Sequence, residues 1–369
     1  MKWFFGYICT CLCVATIAAA DERDQIFFGS PGDAVEATSP QTTPKQDRTT
    51  QSIANRSEQQ PTLGGQLFFQ NNAFWLKETT PADGQIDTQS LLFLYLDSRQ
   101  SQGTRVFARA SLLSPLGSNG ESSSSIGGLA QRQPARLEQL WLKTNYKHTL
   151  FITLGLQPIR WGVGRIWNPS DFLNNRQRDP VAVFDDRPGV PGLKLHFPVE
   201  KFRQNLYLII RQRQGRRLSE IRYALRFEQL IGQTEWSASI DWGFQQTLKL
   251  ATDLSFALGP IDVRTELSAH STPPIRRWTG VLNFETAALP VEARTERFAP
   301  QWVFGIEYPI GLTDDITLYV TTEYFRNEWG YSNGTDLYPW IFAMGDYRPL
   351  YLGRDYLAYN LALPSLMKS

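Results

Sequence analysis

Three histidines, three cysteines and one dense run of Arg, Trp, Gly, Asn and Asp are the places where this chain could do chemistry. His148, His196 and His270 are far apart and show no metal-ligand spacing. Cys9, Cys11 and Cys13 all fall within the first twenty residues. The dense run is 154–171, LGLQPIRWGVGRIWNPSD, an apolar/polar alternation that gives way after Pro158 to closely spaced Arg, Trp and Gly. Gly162-x-Gly164 lacks the third glycine of a dinucleotide fingerprint and follows no βαβ unit. A His–Ser pair of the kind an outer-membrane lipase carries would have to face outward, whereas His196 and His270 fall on the polar parity of their segments. No catalytic, cofactor-binding or metal-binding residue is assigned, and the chain is not read as an enzyme.

The dense run has to be placed among the elements around it, beginning with the chain ends. Residues 1–20 carry Lys2, then an apolar run, then Ala18 and Ala20 at the spacing a signal peptidase reads. They are expected to be a signal peptide. All three cysteines would leave with it, so disulfides and thiolate sites are excluded from the mature chain. Losing Lys2 takes the basic side chains from 37 to 36, against 36 acidic ones. A balanced charge gives no reason to expect nucleic acid. Residues 21–62 are rich in Thr, Gln, Ser and Pro and are expected to form a disordered leader.

From residue 63 the pattern has period two. In 234–244, Trp236, Ala238, Ile240, Trp242 and Phe244 share one face, while Glu235, Ser237, Ser239, Asp241 and Gly243 share the other. The same alternation marks fourteen segments: 64–76, 88–97, 104–114, 136–146, 149–161, 190–198, 204–213, 220–231, 234–244, 246–258, 261–270, 301–309, 316–326 and 355–363. Most have the length of about ten residues that a tilted strand needs to cross a bilayer. Tight turns at 147–148, 232–233 and 259–260 alternate with long connections at 115–134, 162–189, 271–300 and 327–354. A β-sandwich would keep its strands shorter, and a solenoid would show a fixed period. Trp141, Tyr146, Trp161, Trp236, Trp242, Trp302, Tyr308 and Tyr324 fall near segment ends, where interfacial girdles belong. The fold expected over 63–369 is all-β, a transmembrane antiparallel β-barrel of about fourteen strands. Because 355–363 is followed only by PSLMKS, these strands are expected to belong to an incomplete larger barrel.

In such a barrel the charged face lines the lumen. It carries Arg222, Arg226, Glu235, Asp241, Lys249, Asp253, Asp262, Arg264 and Glu266, with both signs interleaved. Two roles are open to these residues: mutually neutralising pairs that stiffen the wall, or a transverse field acting on polar solutes. Ser239, on the same face, is expected to tolerate Arg. The connection after Arg160 is long and charged, and it holds Arg165, Asp171, Arg176, Arg178, Asp185, Asp186 and Arg187. Its Trp167, Phe172, Leu173, Val181, Val183 and Phe184 are too apolar for a free coil, so it is expected to fold inward as a constriction or plug. Arg160-Trp161-Gly162 is expected to mark the rim, where Gly162 and Gly164 allow the backbone to turn sharply. The other reading of the connection is a surface loop packed across that rim.

The run Arg160-Trp161-Gly162-x-Gly164-Arg165-x-Trp167-Asn168-Pro169-x-Asp171 resembles a segment of Gram-negative outer-membrane barrels. These are porin-like proteins in the broad company of alginate-export and capsule-assembly barrels. The resemblance implies a bacterial outer-membrane location and a barrel fold, and it carries over no substrate. The function expected is a channel for passive or gated passage of small polar solutes. The alternative is a non-conducting plugged barrel serving surface-polysaccharide or envelope assembly. Expected partners are outer-membrane lipid, a small polar solute and the barrel-insertion machinery, with no nucleic acid and no cofactor.

Overall fold

The computed structural model describes residues 5–13, 61–76, 85–100, 103–116, 135–174, 187–212, 220–243, 247–272, 275–282, 288–293, 298–313, 316–332, 337–348 and 350–362. The chain divides into two compact units. One is Met1–Asn145 with Thr153–Pro158, and the other is Tyr146–Ile152 with Ile159–Ser369. All fourteen expected segments are strands, and antiparallel pairing of chain neighbours is the rule in each unit. No helix among the described residues is long and apolar enough to cross a membrane.

The first unit holds β1 (Phe5–Cys13), β2 (Thr62–Leu76), β3 (Gln85–Gln100), β4 (Thr104–Leu116) and β5 (Ala135–Tyr146). β1 comes from the expected signal segment and pairs with β2, Phe5 opposite Leu76. Of the expected leader only Pro61 and Thr62 are described, and Thr62 already opens β2. Leu94, Leu96, Leu140 and Leu142 are exposed on one face. The other face carries ion pairs of Asp97 with Arg105 (2.7 Å) and of Glu138 with Arg109 (3.2 Å) and Arg136 (3.1 Å).

Trp141 corrects one expectation here. It stacks on Phe107 at 5.4 Å, beneath the Arg105 guanidinium, and so lies on the charged face rather than in an outer girdle. The cause is a register shift between Arg109 and Ala110, which leaves Glu138 without a cross-strand partner. An extra residue in one strand moves everything after it to the opposite face.

β6 (Leu150–Gln157) has its first three residues assigned to the second unit and the rest to the first. It stops four residues before the expected end at 161, because Pro158 has no N–H to give a ladder. Leu154 is exposed, whereas Thr153 and Gln157 are buried.

The second unit contains β7 (Val190–Val199), β8 (Gln204–Gln212), β9 (Ile221–Ile231), β10 (Thr234–Gly243), β11 (Lys249–Leu258), β12 (Ile261–His270), β13 (Trp278–Thr279), β14 (Val291–Glu292), β15 (Ala299–Gly311), β16 (Thr317–Asn327) and β17 (Asp355–Ala362). Its main sheet runs in the order 7-8-9-10-11-12-15-16-17. Turns at Gly232-Gln233 and Gly259-Pro260 are tight, with both glycines at positive φ, while the connections at the opposite strand ends vary, short from β10 to β11 and long from β12 to β15 and from β16 to β17. Two of these hold structure that periodicity did not foretell: the β13–β14 hairpin and the short helix α1 (Tyr338–Ala343). They pack together through Trp278, Leu337, Ile341 and Leu352.

On this sheet Trp236, Trp242, Leu250, Trp302 and Tyr308 are exposed on one face. Buried on the other face are Arg222, Arg226, Ser237, Ser239, Asp241, Asp253, Arg264, Glu266, Ser268 and Glu323. A sheet that buries charge and exposes tryptophan and leucine reverses the arrangement of a water-soluble domain.

Candidate functional site: a loop docked on a charged wall

The segment after Pro158 turns onto the charged face of the second unit, and its own apolar side chains are buried there. Ile159, Trp161, Phe172 and Leu173 pack with Val190, Ile209, Ala224 and Ala251 on the wall strands. Ile166 and Trp167 pack with Val303 and Phe325. Trp167, 1% exposed, stacks on Phe325 at 5.4 Å and donates its indole N–H to Leu350 O at 3.1 Å. Trp161 is therefore no rim residue: it is 6% exposed, with the Arg226 guanidinium 5.6 Å from its ring.

Two wall carboxylates hold the backbone of this loop. Glu266 Oε1 accepts N–H groups from Val163 and Gly164, both at 2.6 Å, and the Asn168 amide at 3.1 Å. Its Oε2 accepts the Ser170 N–H (3.2 Å) and hydroxyl (2.7 Å). Glu323 accepts three successive N–H groups, from Arg165 (2.8 Å), Ile166 (3.1 Å) and Trp167 (2.7 Å). Successive amides converging on one anionic group form a nest, here with the anion supplied by the protein's own wall. Charge-assisted bonds of this type are about twice as strong as neutral ones.

The glycines are what allow this fit. Gly162 sits at φ +91, and a Cβ there would press on the Glu266 carboxylate and on Ser170 Oγ. A Cβ on Gly164 would collide with the Trp167 carbonyl. The two glycines thus serve carboxylate capture, where the sequence suggested only a sharp turn.

The loop's charged side chains find partners as well. Arg165 lies 3.2 Å from Glu307, and Arg187 lies 2.8 Å from Asp171. Asp171 also accepts the Asn174 amide, which in turn donates to Ile159 O at 2.8 Å, so the start and end of the docked segment are tied together. Arg160 is exposed. Arg176, Arg178, Asp185 and Asp186, with Val181, Val183 and Phe184, lie outside the described residues.

Beneath the loop the wall is a series of ion pairs. Asp241 is fully buried between Arg211 (3.0 Å) and Arg222. Arg211 also donates to Phe172 O at 2.9 Å, and the Lys249 ammonium lies 5.6 Å from the Phe172 ring. Arg226 grips Asp253 with two bonds, of 2.8 and 3.1 Å, and bonds Glu228 at 2.8 Å. Arg264 pairs with Asp262 and with Glu307 at 3.3 Å. Glu235 is exposed beside the Gly232-Gln233 turn. His196 and His270 are buried and bonded to Asn205 (2.9 Å) and Gln301 (3.0 Å).

Glu323, Glu307 and Arg211 were not singled out in the sequence. Glu323 could have been found by parity, since Thr321, Glu323, Phe325 and Asn327 share the buried face of β16.

No protein-family model matches the chain, and no curated protein matches it. Solved structures that resemble it include porins. Salmonella typhi OmpF in complex with daunomycin has 8% identity over 74% of this chain and 80% of its own, at a TM-score of 0.44. A porin refined at 1.8 Å has 11% identity over 82% and 88%, at 0.41. A Rh. blastica porin variant has 9% identity over 81% and 98%, at 0.35. The chemistry of the site rests on this chain's own residues.

Proposed function

We propose that this protein is an outer-membrane β-barrel channel for small polar solutes, with the loop after Pro158 as its constriction. The exposed apolar face is the lipid face, where a charge costs roughly 2–4 kcal/mol at mid-bilayer, and the charged face lines the lumen. The observation that carries the reading is the capture of the loop backbone by Glu266 and Glu323. A loop fixed by buried carboxylates to the wall narrows the passage at one depth, with Arg160 and Arg165 among its exposed residues. Balanced ion pairs along the wall keep the water-filled side polar without making a deep trap for one ion.

The test is current through a planar bilayer containing the full chain. A steady ohmic current is expected, and it should grow when Glu266 and Glu323 are both replaced by Ala and the loop is set free. Silence from both proteins, each folded and inserted, would overturn the channel reading.

A further inference from the structure

We infer that the charged face of the first unit carries a subsite for aromatic carboxylates, built from Arg105 and Arg109 with Tyr95 and Trp141. The inference rests on the channel reading for its effect on permeation, though not for binding itself. Strand register brings the four residues together. Arg105, Phe107 and Arg109 follow one another on the charged face of β4. Trp141 of β5 is the cross-strand partner of Phe107, and Tyr95 of β3 is that of Arg109. The bulge at Glu138 is what turns Trp141 to this face, and bulges recur beside functional sites, where they re-aim a side chain.

The rings form a row across three strands. Tyr95 stacks on Phe107 at 6.2 Å and Phe107 on Trp141 at 5.4 Å, with interplanar angles of 16° and 23°. Gly64 makes room for the row, since a Cβ there would run into the Tyr95 ring. Phe107, in the middle, is buried, whereas Tyr95 and Trp141 are half-buried. The Arg105 guanidinium lies 5.4 Å from the Trp141 ring, and that of Arg109 lies 3.9 Å from the Phe93 ring. On the polar face of a wall, such rings give a solute a flat apolar surface between charges.

The charges beside the row are unbalanced. Asp97 is shared by Arg105 (2.7 Å) and Arg99 (3.5 Å), and Glu138 by Arg109 (3.2 Å) and Arg136 (3.1 Å). Two carboxylates thus meet four guanidiniums. Depth adds to the excess: the carboxylates are 16% and 8% exposed, and each of their arginines is more open, up to 43% at Arg99. Solvent therefore meets guanidinium before carboxylate. Arg105 gives Nε and Nη2 to Asp97, and its Nη1 has no hydrogen-bond partner among the described residues. A guanidinium both binds carboxylates through its fork of N–H groups and stacks on aromatic planes. A positive wall also raises the local concentration of anions. An anion carried on a flat ring uses both surfaces at once, whereas acetate or chloride uses one.

Two measurements on the full-length protein test this. In detergent micelles, with no conduction required, saturation-transfer NMR should show saturable binding of benzoate. Acetate, which lacks the ring, and benzyl alcohol, which lacks the charge, should each compete several-fold more weakly. Benzoate affinity should fall several-fold in Arg105→Gln/Arg109→Gln and in Trp141→Ala. Asp97 and Glu138 each keep one arginine in the double variant, so it should still fold, which circular dichroism checks. In a planar bilayer with sodium benzoate on one side and sodium acetate on the other, the reversal potential should show benzoate the more permeant, although it is the larger ion. The double variant should reverse that order. Benzoate binding no tighter than that of benzyl alcohol, binding unchanged in the folded variants, or acetate more permeant than benzoate in the wild type would overturn the inference. Absence of current in a folded, inserted protein would remove the channel reading, while the NMR titration would still decide the subsite.

Discussion

Gly164 and Glu266, 102 residues apart in the chain, are joined by a hydrogen bond of 2.6 Å from the glycine N–H to Oε1. Among the described residues no cation lies at ion-pair distance from Glu266, so its burial depends on the loop. The dependence is mutual: the loop's amides have this carboxylate, and the carboxylate has these amides.

Glu266→Gln tests that dependence. The carboxylate accepts bonds on both oxygens, and glutamine turns one of them into a donor facing donors. Either Ser170 or the Val163–Gly164 pair would lose its acceptor. A loss of about 1–3 kcal/mol is expected for a buried donor left unpaired. Urea titration in lipid vesicles measures it, and faster proteolysis within 160–174 should accompany it. Unchanged stability together with an unchanged proteolysis rate would show that the loop is held by its apolar side chains alone.

Gly162→Ala should act on the same contact from the other side. At φ +91 an L-residue is strained whatever the space, and here the added methyl meets Glu266 and Ser170. The expected cost is at least about 1–3 kcal/mol, as for other strained backbone positions. Gly232→Ala is the control: it shares the positive φ but has open space around the Cβ. If the two variants lose the same stability, the carboxylate contact contributes nothing beyond backbone strain.

The two sheet faces should respond differently to charge. Leu250→Arg, on the exposed apolar face, should cost roughly 2–4 kcal/mol in lipid vesicles if it sits near mid-bilayer. Ser255→Arg, half-buried on the polar face, should cost much less. Ser239 is not the tolerant position the alternation suggested. It is 6% exposed, on a stretch of wall beneath the docked loop, and an arginine there would overpack it. Equal losses at Leu250 and Ser255 would invalidate the assignment of faces.

Alternation carried almost all of the fold. Side chains on strands such as β10 and β12 have to alternate, so every long strand of the second unit left its mark in the sequence. What alternation could not carry is whatever breaks it. The bulge at Glu138 turned Trp141 to the charged face, and Pro158 ended β6 early. The candidate site was legible in its residue types and not in its contacts. Trp, Gly and Asn in 160–171 marked an unusual loop, but a backbone amide has no side-chain signature, so the partnership with Glu266 and Glu323 was invisible. Arg165 and Glu307 are separated by 142 residues, and only pairing of β12, β15 and β16 brings such positions together.

The buried triad of Arg211, Asp241 and Arg222 gives the sharpest contrast in electrostatics. Asp241 is fully buried and its two guanidiniums are 3% and 2% exposed, so neither arginine can turn to water when the carboxylate is lost. Asp241→Asn would leave two like charges side by side, and breaking a buried pair in this way typically costs about 3–5 kcal/mol. Asp262→Asn removes a carboxylate that is 41% exposed, where an ion pair is worth about 0–1 kcal/mol. Arg211 also holds Phe172 O, so the Asp241 variant should loosen the loop and increase current noise as well as lower stability. Replacing Arg211 and Arg222 by Met alongside Asp241→Leu should recover most of the lost stability, because the desolvated charges go with the carboxylate. Urea titration of the three variants would check the order. A triple variant as unstable as Asp241→Asn would mean that the arginines hold the wall through Phe172 O and Thr247 O rather than through Asp241.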